Sequence, residues 1–418
     1  MLGAFVLLCV YGLVSIASGC EDIAVTKPQS QQLKKLRLHP ELAEDANLKV
    51  PSLVRKYEYP LEEHQVITSD QYVLTMHRIP YGRYNKKKRN RPAVFIMHGL
   101  LSSSADFITT GPEKAFAYIL AEEGFDVWMG NARGNRYSRQ HTYIDPRKSA
   151  FWKFSWDEIG NLDLPAMIDY VLKKTKKRKI HYIGHSQGTT AFWVMCSLRP
   201  EYNHKIISMH ALAPVAYLTH NKCPLLHAIA SFSNAIAKFL TLVGKAEFMA
   251  NKLLLKWAGA AICRDGAIFQ ELCSNIYFLV GGWNSVELNR TIIPVILGHT
   301  PAGASVYQFA HYGQVMASKQ FRRFNHGGSA NMKIYKSRTP PGYHPHKVTA
   351  PVFFHYSLSD PWAHVKDVER LGLEIGNLKA KRVIPMATFS HFDFLFGINA
   401  KALVYDQVIS DMWSMERK

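Results

Sequence analysis

Short apolar runs alternate along this chain with segments of helical periodicity. The runs are rich in β-branched and aromatic residues and predict strands, several of them buried on both faces. They occupy residues 93–97, 124–129, 179–183, 206–212, 352–356 and 382–386. Helical periodicity lies between them, at residues 114–123, 164–172, 189–198 and 365–372. This order predicts an α/β domain with a mostly parallel sheet.

Ahead of these strands, residues 63–81 form two strand-like stretches on either side of a turn at Ser69 and Asp70. Two such stretches joined by a short polar turn are typical of a β-hairpin. We therefore predict an antiparallel hairpin at one edge of the sheet.

The alternation of strands and helices breaks down in the middle of the chain. Residues 215–344 are rich in Leu, Ile, Phe and Ala and predict a helical insert. Two long apolar runs in it, residues 225–242 and 248–261, are interrupted by lysines, which indicates amphipathic rather than membrane-spanning helices. Because sheet character returns near the end of the chain, the insert interrupts one domain whose core is residues 56–214 and 345–418.

The beginning of the chain predicts its compartment. Residues 1–19 combine an apolar stretch with small residues at its end, which is typical of a cleavable signal peptide. No Lys or Arg precedes the stretch, so an uncleaved anchor is the alternative. A signal peptide predicts a secreted or luminal protein, in which residues 20–55 could be a removable pro-segment. In that compartment the sequon at Asn289 predicts glycosylation.

Charge and hydrophobic content narrow the class of protein. The chain has 418 residues, of which 47% are hydrophobic, and a formal net charge of +19. That hydrophobic content excludes a mainly disordered protein. Dense basic runs at residues 83–91 and 173–179 raise the question of nucleic-acid binding, but both are expected in loops and the second has no aromatic side chain for base stacking. We expect solvated surfaces that favour anionic lipid, and no nucleic-acid partner.

The cysteines fit an oxidising compartment only in part. Removal of a signal peptide would leave five of the six cysteines, so at least one thiol would stay unpaired. Cys263 and Cys273 bracket a short segment and are the preferred disulfide. Cys196 lies on a predicted helix and is expected to be a free thiol in the core. The sequence does not pair Cys20 or Cys223.

A predicted strand and a predicted helix are joined by Gly184-His185-Ser186-Gln187-Gly188. A serine on such a sharp turn, with glycine two residues away on each side, is typical of a nucleophile elbow, which lifts the hydroxyl clear of the sheet. The alternative is a glycine-rich turn with an incidental serine. The partners available to the serine decide between the two.

A serine nucleophile needs a histidine as base and a carboxylate that orients the histidine. In α/β domains with a nucleophile elbow, the nucleophile, the carboxylate and the base follow along the chain in the order Ser, Asp or Glu, His. Asp360 and His391 each follow a predicted strand, and the carboxyl ends of strands are where α/β sheets gather active sites. We therefore predict a triad of Ser186, Asp360 and His391.

Three other side chains compete for these roles. His364 lies only four residues after Asp360, too close along the chain to cross the mouth of the sheet, and is expected to be a surface or helix-capping residue. Asp367 is typical of the first turn of a helix, where the dipole favours an acid. Asp393 lies close to the predicted base and stays open as an alternative carboxylate.

The tetrahedral intermediate formed by a serine nucleophile also needs backbone N–H donors for its oxyanion. This fold supplies one from the residue after the serine, which is Gln187, and another from the loop after an early strand. That loop reads His98-Gly99-Leu100-Leu101, and we nominate the amide of Leu100. The alternative for His98 is a local hydrogen bond within the turn. No metal and no organic cofactor is implied.

Several motifs taken together resemble the acid lipases, the gastric and lysosomal acid lipase family with its insect lipase-3-like members. They lie between about residues 57 and 404 and read His98-Gly99-Leu100-Leu101, Gly130-Asn131-Ala132-Arg133-Gly134-Asn135, Phe151-Trp152-Lys153-Phe154-Ser155-Trp156, Asp163-Leu164-Pro165-Ala166 and Gly184-His185-Ser186-Gln187-Gly188. The resemblance implies an α/β-hydrolase fold with a helical cap and lid over residues 215–344. It implies a secreted or lysosomal serine lipase that hydrolyses triacylglycerols or sterol esters at a lipid–water interface, without a cofactor.

The family's functional residues fall on the candidates already named. The resemblance places Ser186, Asp360 and His391 in the triad, Leu100 and Gln187 in the oxyanion hole, and Cys263 with Cys273 in the family disulfide. Gln71 departs from the family's usual glycine, and the residues around Asp360 depart from its usual pattern. The oligomeric state stays open. The rival functions are a soluble carboxylesterase and a catalytically silent lipid-binding protein.

Overall fold

The computed structural model of the chain describes residues 40–86, 90–223, 227, 247–248 and 286–417. Within them the strands are β1 Glu62–Ile67, β2 Tyr72–Ile79, β3 Ala93–Met97, β4 Asp126–Met129, β5 Gln140–His141, β6 Ile180–His185, β7 Ile206–Leu212, β8 Glu247–Phe248, β9 Ala304–Ser305, β10 Val352–Tyr356 and β11 Leu378–Val383. The α-helices are α1 Pro40–Asn47, α2 Val50–Lys56, α3 Phe116–Glu122, α4 Trp156–Glu158, α5 Leu164–Thr175, α6 Gln187–Leu198, α7 Ile293–His299, α8 Val306–Ser318, α9 Gly328–Tyr335, α10 Val365–Glu374, α11 Asp393–Phe396 and α12 Asp406–Glu416.

One sheet organises the described residues. Nine strands join it, in the order β1-β2-β4-β3-β6-β7-β10-β11 with β5 paired to β2. The β1–β2 and β2–β4 pairs are antiparallel, and every pair from β4 to β11 is parallel. The predicted mostly parallel sheet with an antiparallel N-terminal hairpin is confirmed.

The turn between β1 and β2 places Gln71 where glycine is favoured. Gln71 has a φ of 75°, in the left-handed region where a Cβ is strained. Its N–H donates to the carbonyl of Thr68 at 2.8 Å, which closes the turn. The side chain and the carbonyl of Gln71 also accept from the hydroxyl and the N–H of Thr142 at 3.2 Å and 3.0 Å, so the departure contacts both the hairpin turn and the residue after β5.

The last strand differs from its prediction. β11 ends at Val383, whereas the sequence predicted a strand over residues 382–386. It is an edge strand in which half-buried and exposed positions alternate. Because Lys379 and Lys381 occupy exposed positions, the strand contains no continuous apolar run of the kind that predicts a buried strand. Pro385 cannot donate to a ladder and stops the strand from extending further.

The centre of the sheet is buried. Each residue of β3 and of β6 is buried, and so is α6 from Gln187 to Ser197. Cys196 lies in this helix as a buried free thiol, as predicted, and its burial raises its pKa. Burial on all sides fixes the strand and the helix that flank Ser186.

The structure describes only part of the predicted insert over residues 215–344. That part contains α7, α8, α9 and the antiparallel pair of β8 with β9. The predicted amphipathic runs lie almost wholly outside the described residues, so the boundary between core and cap stays a prediction. Among the helices of the described residues, none combines the length and apolar character needed to span a bilayer.

Candidate active site

Ser186 stands on a sharp turn between β6 and α6. Its backbone has a φ of 52° and a ψ of −118°, which is a strained conformation for a residue with a side chain. Its N–H donates to the carbonyl of Leu212 at 3.0 Å, and its carbonyl accepts from the N–H of Thr189 at 2.8 Å. The neighbouring strand and the first turn of the helix therefore hold the serine in the strained position that a nucleophile elbow requires.

The two flanking glycines are required by contact with backbone. A Cβ on Gly188 would lie 2.3 Å from the carbonyl oxygen of Met97, and one on Gly184 would lie 2.8 Å from the carbonyl carbon of Gly188. Neither neighbour is a flexible side-chain end that could move away. The glycines let β6, α6 and the end of β3 approach closely enough to form the turn.

The structure brings the three predicted triad side chains together. His391 Nε2 lies 2.8 Å from Ser186 Oγ, and His391 Nδ1 lies 2.8 Å and 3.0 Å from the two carboxylate oxygens of Asp360. All three residues are buried. An ionised carboxylate can only accept, so Nδ1 carries the proton and Nε2 accepts from the serine hydroxyl. The arrangement can withdraw a proton from Ser186 when its oxygen attacks.

Asp360 is held in its charged form. Burial alone would raise the pKa of Asp360, but the neighbouring His391 and the N–H groups of Ala363 and Trp362, which donate to Oδ1 at 2.9 Å and 2.8 Å, lower it below its ordinary value. The carboxylate therefore stays ionised into acid and keeps its orientation. The sequence after Asp360 is unusual for the family, but it still provides two backbone N–H groups that donate to the carboxylate.

The competing side chains have other partners. His364 caps α10 by accepting from the N–H of Lys366, which confirms its predicted capping role. Asp367 lies in the first turn of α10 and accepts from the ring and the N–H of His220, both at 2.8 Å. Asp393 accepts from the N–H of Ser390 at 2.6 Å. In this structure the carboxylate that contacts His391 is that of Asp360.

The loop after β3 lies against the serine. A Cβ on Gly99 would be 3.2 Å from Ser186 Cβ and 3.6 Å from its Oγ, so a larger residue would crowd the nucleophile. Leu101 has a φ of 62°, and its carbonyl accepts from Ala302 N–H at 2.6 Å. Among the hydrogen bonds of the described residues, none uses the amide of Leu100 or of Gln187 as donor. Both amides are therefore available to an oxyanion.

His98 fixes this loop through a defined tautomer. Its Nε2 accepts from the N–H of Ala132 and from Asn135 Nδ2, both at 3.1 Å. The proton must then lie on Nδ1, which donates to the carbonyl of Gly99 at 2.8 Å. Burial lowers the pKa of His98 to about 4, so the ring keeps this pattern in mild acid. The local hydrogen bond considered for His98 is present, and it supports the loop.

Asp106 connects the same loop to the insert. Its carboxylate accepts from the hydroxyl of Ser102 and from Thr300 Oγ1, the latter at 2.7 Å. Burial raises the pKa of Asp106 to about 6 from an ordinary value of 3.8, although these two hydrogen bonds act in the opposite direction. The carboxyl is therefore neutral in weak acid and charged above it.

Replacing Asp106 with Asn tests this titration through stability. Folded Asp106 keeps its proton to about pH 6 while the unfolded chain releases it near 3.8, so wild-type stability falls as pH rises between these values. Asn stays neutral, so we expect D106N to match the wild type at pH 4 and to exceed it by up to about 3 kcal/mol above pH 7. Urea unfolding at both pH values measures this. The same stability difference at both would refute it.

Sequence reasoning missed two side chains that hold the histidine. Trp362 stacks on the ring of His391 with centroids 5.7 Å apart and planes at 24°. His185 donates from Nε2 to the carbonyl of His391 at 2.9 Å, and burial, with His391 nearby, lowers the pKa of His185 to about 3. His185 is the second residue of the elbow motif, and Trp362 belongs to the unusual sequence after Asp360. Both positions stood out in the sequence, but neither indicated that its side chain would contact His391.

One cluster of potential metal ligands lies away from the triad. Ring nitrogens of His210 and His355 and the carboxylate of Asp411 lie within 4.8 Å of one another. The carboxylate is already bound in a bidentate manner by Arg382, at 2.8 Å and 3.1 Å, and His210 Nε2 bonds to the hydroxyl of Ser208. The adjacent guanidinium opposes a second cation, so we assign no metal to this cluster.

The remaining predicted residues lie elsewhere. Cys263 and Cys273, the predicted disulfide, lie outside the described residues. Asn289 begins a short 3₁₀ helix, Arg290–Ile292, and its side-chain oxygen accepts from the N–H and the hydroxyl of Thr291 at 3.1 Å and 2.6 Å.

Fold and site together define a serine hydrolase of the α/β-hydrolase class, and comparison with known proteins agrees. Residues 92–239 match the family model described as the alpha/beta hydrolase fold, and residues 50–111 match the one described as a partial alpha/beta-hydrolase lipase region. The bacterial protein lip1 of Acinetobacter baumannii shares the fold, with a TM-score of 0.51 at 13% identity over 96% of this chain and 99% of its own.

Closer relatives specify the family. Lipase 1 of Drosophila melanogaster is 42% identical over 88% of this chain and 80% of its own. The rat gastric triacylglycerol lipase is 37% identical over 88% and 92%, and the human lysosomal acid lipase/cholesteryl ester hydrolase 36% over 88% and 91%. The chain belongs to this acid lipase family, as its motifs indicated, and is a serine-dependent ester hydrolase and a lipase.

Proposed function

We propose that this lipase hydrolyses acyl esters of neutral lipids, triacylglycerols or sterol esters, with Ser186 as nucleophile, His391 as base and Asp360 as the orienting acid. The observation that carries the proposal is the unbroken path of hydrogen bonds from the carboxylate through the imidazole to the serine hydroxyl. Two relatives support the substrate class, the gastric triacylglycerol lipase and the lysosomal acid lipase/cholesteryl ester hydrolase.

In the first half of the reaction Ser186 Oγ attacks the ester carbonyl and its proton moves to His391 Nε2. The charge of Asp360 stabilises the imidazolium that forms. The tetrahedral oxyanion accepts hydrogen bonds from the amides of Leu100 and Gln187. Collapse of the intermediate breaks the ester C–O bond, and the imidazolium gives its proton to the departing alcohol.

In the second half water replaces the alcohol. His391 takes a proton from the water as its oxygen attacks the acyl group on Ser186, and the oxyanion again accepts from the two amides. Collapse returns the proton to Ser186 Oγ and releases the fatty acid. Apart from the ester and the water that is consumed, each step uses side chains and amides of this chain.

Apolar side chains close to the triad along the chain support a lipid substrate. Leu358, two residues before Asp360, is 58% exposed, and Phe392, next to His391, is half-buried. An acyl chain bound beside an exposed apolar side chain such as Leu358 gains about 0.8 kcal/mol for each methylene buried. Phe392 packs in part against the core and is covered with or without substrate.

The proposed compartment follows from the chain's beginning and from its relatives. We infer a secreted or lysosomal protein with residues 1–19 as its signal peptide and a glycan on Asn289. The gastric and lysosomal relatives support the compartment. Asn289 lies in a part of the chain where its neighbour Arg290 is exposed, which suits a modified position.

Hydrolysis of tributyrin below and above its solubility limit tests the substrate class. A lipase that acts at an interface should show a sharp rise in rate when droplets appear, because substrate then concentrates at a surface. A soluble carboxylesterase would already be saturated below the limit and show no rise. A catalytically silent lipid-binding protein would show no turnover in either range.

A further inference from the structure

Cations crowd the end of the sheet that lies opposite the triad. Six of the seven residues from 173 to 179 are Lys or Arg. They begin in the last turn of α5 and end directly before β6, at the amino end of that strand. We call Lys173, Lys174, Lys176, Arg178 and Lys179, which are all exposed, the basic edge.

The basic edge lacks the ion pairs that other cations of the chain make. Arg133 and Arg323, for example, lie within 3 Å of carboxylates of Asp163 and Asp157. Within the described residues no member of the basic edge takes part in an ion pair closer than 4 Å. The C-terminal dipole of α5 favours the two cations in its last turn, but it does not account for those beyond the helix.

Neighbouring strands extend the same charge. Lys177 Nζ donates to the side chain of Asn90, so the loop before β3 meets the loop before β6. Further along the sheet, Lys347 precedes β10 and Lys379 lies at the start of β11, both exposed. Strands lie about 4.8 Å apart, so these two lysines lie roughly 10 to 14 Å from β6 along the sheet. Between them and the basic edge lies Lys205, which precedes β7 and is paired with Asp169 at 2.5 Å.

The substrate surface cannot cover the basic edge. The triad follows the carboxyl ends of β6 and β10, whereas the basic edge precedes the amino end of β6. A parallel strand of this length separates the two by about 16 to 20 Å. A lipid surface that faces the triad therefore faces away from these cations. This step rests on the proposed function, because it takes the triad as the place where lipid docks.

The chemistry of the basic edge favours a linear polyanion without bases. No aromatic side chain stands among residues 173–179, so nucleobases would find no stacking platform there. A row of exposed ammonium groups instead suits a chain of sulfate groups, because binding then releases counterions along its length. We propose that the basic edge binds a sulfated polysaccharide while the triad stays open to lipid.

Two charge-matched triple variants test this proposal, with heparin as the probe. Lys176→Gln, Arg178→Gln and Lys179→Gln together remove three charges from the basic edge. Lys333→Gln, Lys336→Gln and Arg338→Gln remove the same three charges from an exposed region on and after α9. We expect heparin affinity of the full chain at physiological ionic strength to fall at least about tenfold in the first variant and less than about twofold in the second.

Two further probes separate the alternatives. Vesicles of phosphatidylcholine with phosphatidylserine, and a single-stranded DNA oligonucleotide, should bind the two variants equally, the DNA because the basic edge offers its bases no stacking platform. Equal loss of heparin affinity in both variants would reduce the effect to net charge and overturn the proposal. So would loss of vesicle or DNA binding confined to the first variant while heparin binding persists. Both variants should keep wild-type rates on emulsified ester, and heparin binding is measured without substrate, so failure of the proposed catalysis would be seen separately.

Discussion

Replacing Ser186 with alanine is expected to lower the turnover of emulsified ester by about 10⁶, in line with other serine hydrolases. The oxygen that forms the acyl-enzyme is gone, while the amides of Leu100 and Gln187 remain to stabilise a direct attack by water. Alanine has the same backbone restrictions as serine, so the strained elbow should form as before. Initial rates measured with pure variant and wild type give the ratio.

A second serine provides the matched control. Ser390 is buried next to His391, and its hydroxyl has no hydrogen-bond partner in the described residues. Ser390→Ala should change turnover less than about tenfold, because it removes a methyl-sized polar group and no reacting atom. If S186A kept more than a hundredth of wild-type turnover, another nucleophile would have to be found.

Replacing Asp360 with Asn is expected to lower turnover by about 10⁴. The amide nitrogen can donate to the ring, which favours the tautomer with the proton on Nε2 and leaves no acceptor for the serine proton. The buried negative charge that stabilises the imidazolium is also lost. A fall in kcat with little change in KM would indicate that the transition state, and not lipid binding, is affected.

The competing carboxylate is the control for this prediction. Asp393 accepts from the N–H of Ser390 at 2.6 Å, and Asn could keep that bond through its oxygen. Asp393→Asn should therefore retain activity within about tenfold and lose some thermal stability. The opposite ranking, with D393N inactive and D360N active, would transfer the role of the acid to Asp393.

Much of the fold could be predicted because it depends on local patterns. Buried parallel strands such as β3 consist almost entirely of apolar residues. The hairpin of β1 and β2 consists of two strand-like stretches joined by a short polar turn. The elbow could be predicted because the close approach of backbones around Ser186 requires glycine at positions 184 and 188, and the two glycines are recognisable in the sequence. The edge strand β11 was predicted too late in the chain, over residues 382–386, because Lys379 and Lys381 interrupt the apolar residues of its first half.

The supporting contacts of the site could not be predicted, because they join residues that are distant along the chain. His98 depends on Asn135, and Asp106 on Thr300, through contacts that only the folded sheet creates. Trp362 occupies a position where the family usually has an aliphatic residue, and nothing in the sequence indicated that its ring would stack on His391. Motifs identify the reacting groups, whereas the residues that orient them depend on packing.

The most direct test of the account is covalent labelling with a fluorophosphonate probe, followed by mass spectrometry of the peptides. The probe reacts with a serine only where a base activates it and an oxyanion hole receives its phosphoryl oxygen. We predict one adduct, on the peptide that contains Ser186, and none in S186A. An adduct on a different residue, or equal labelling of S186A, would contradict the assignment of the nucleophile.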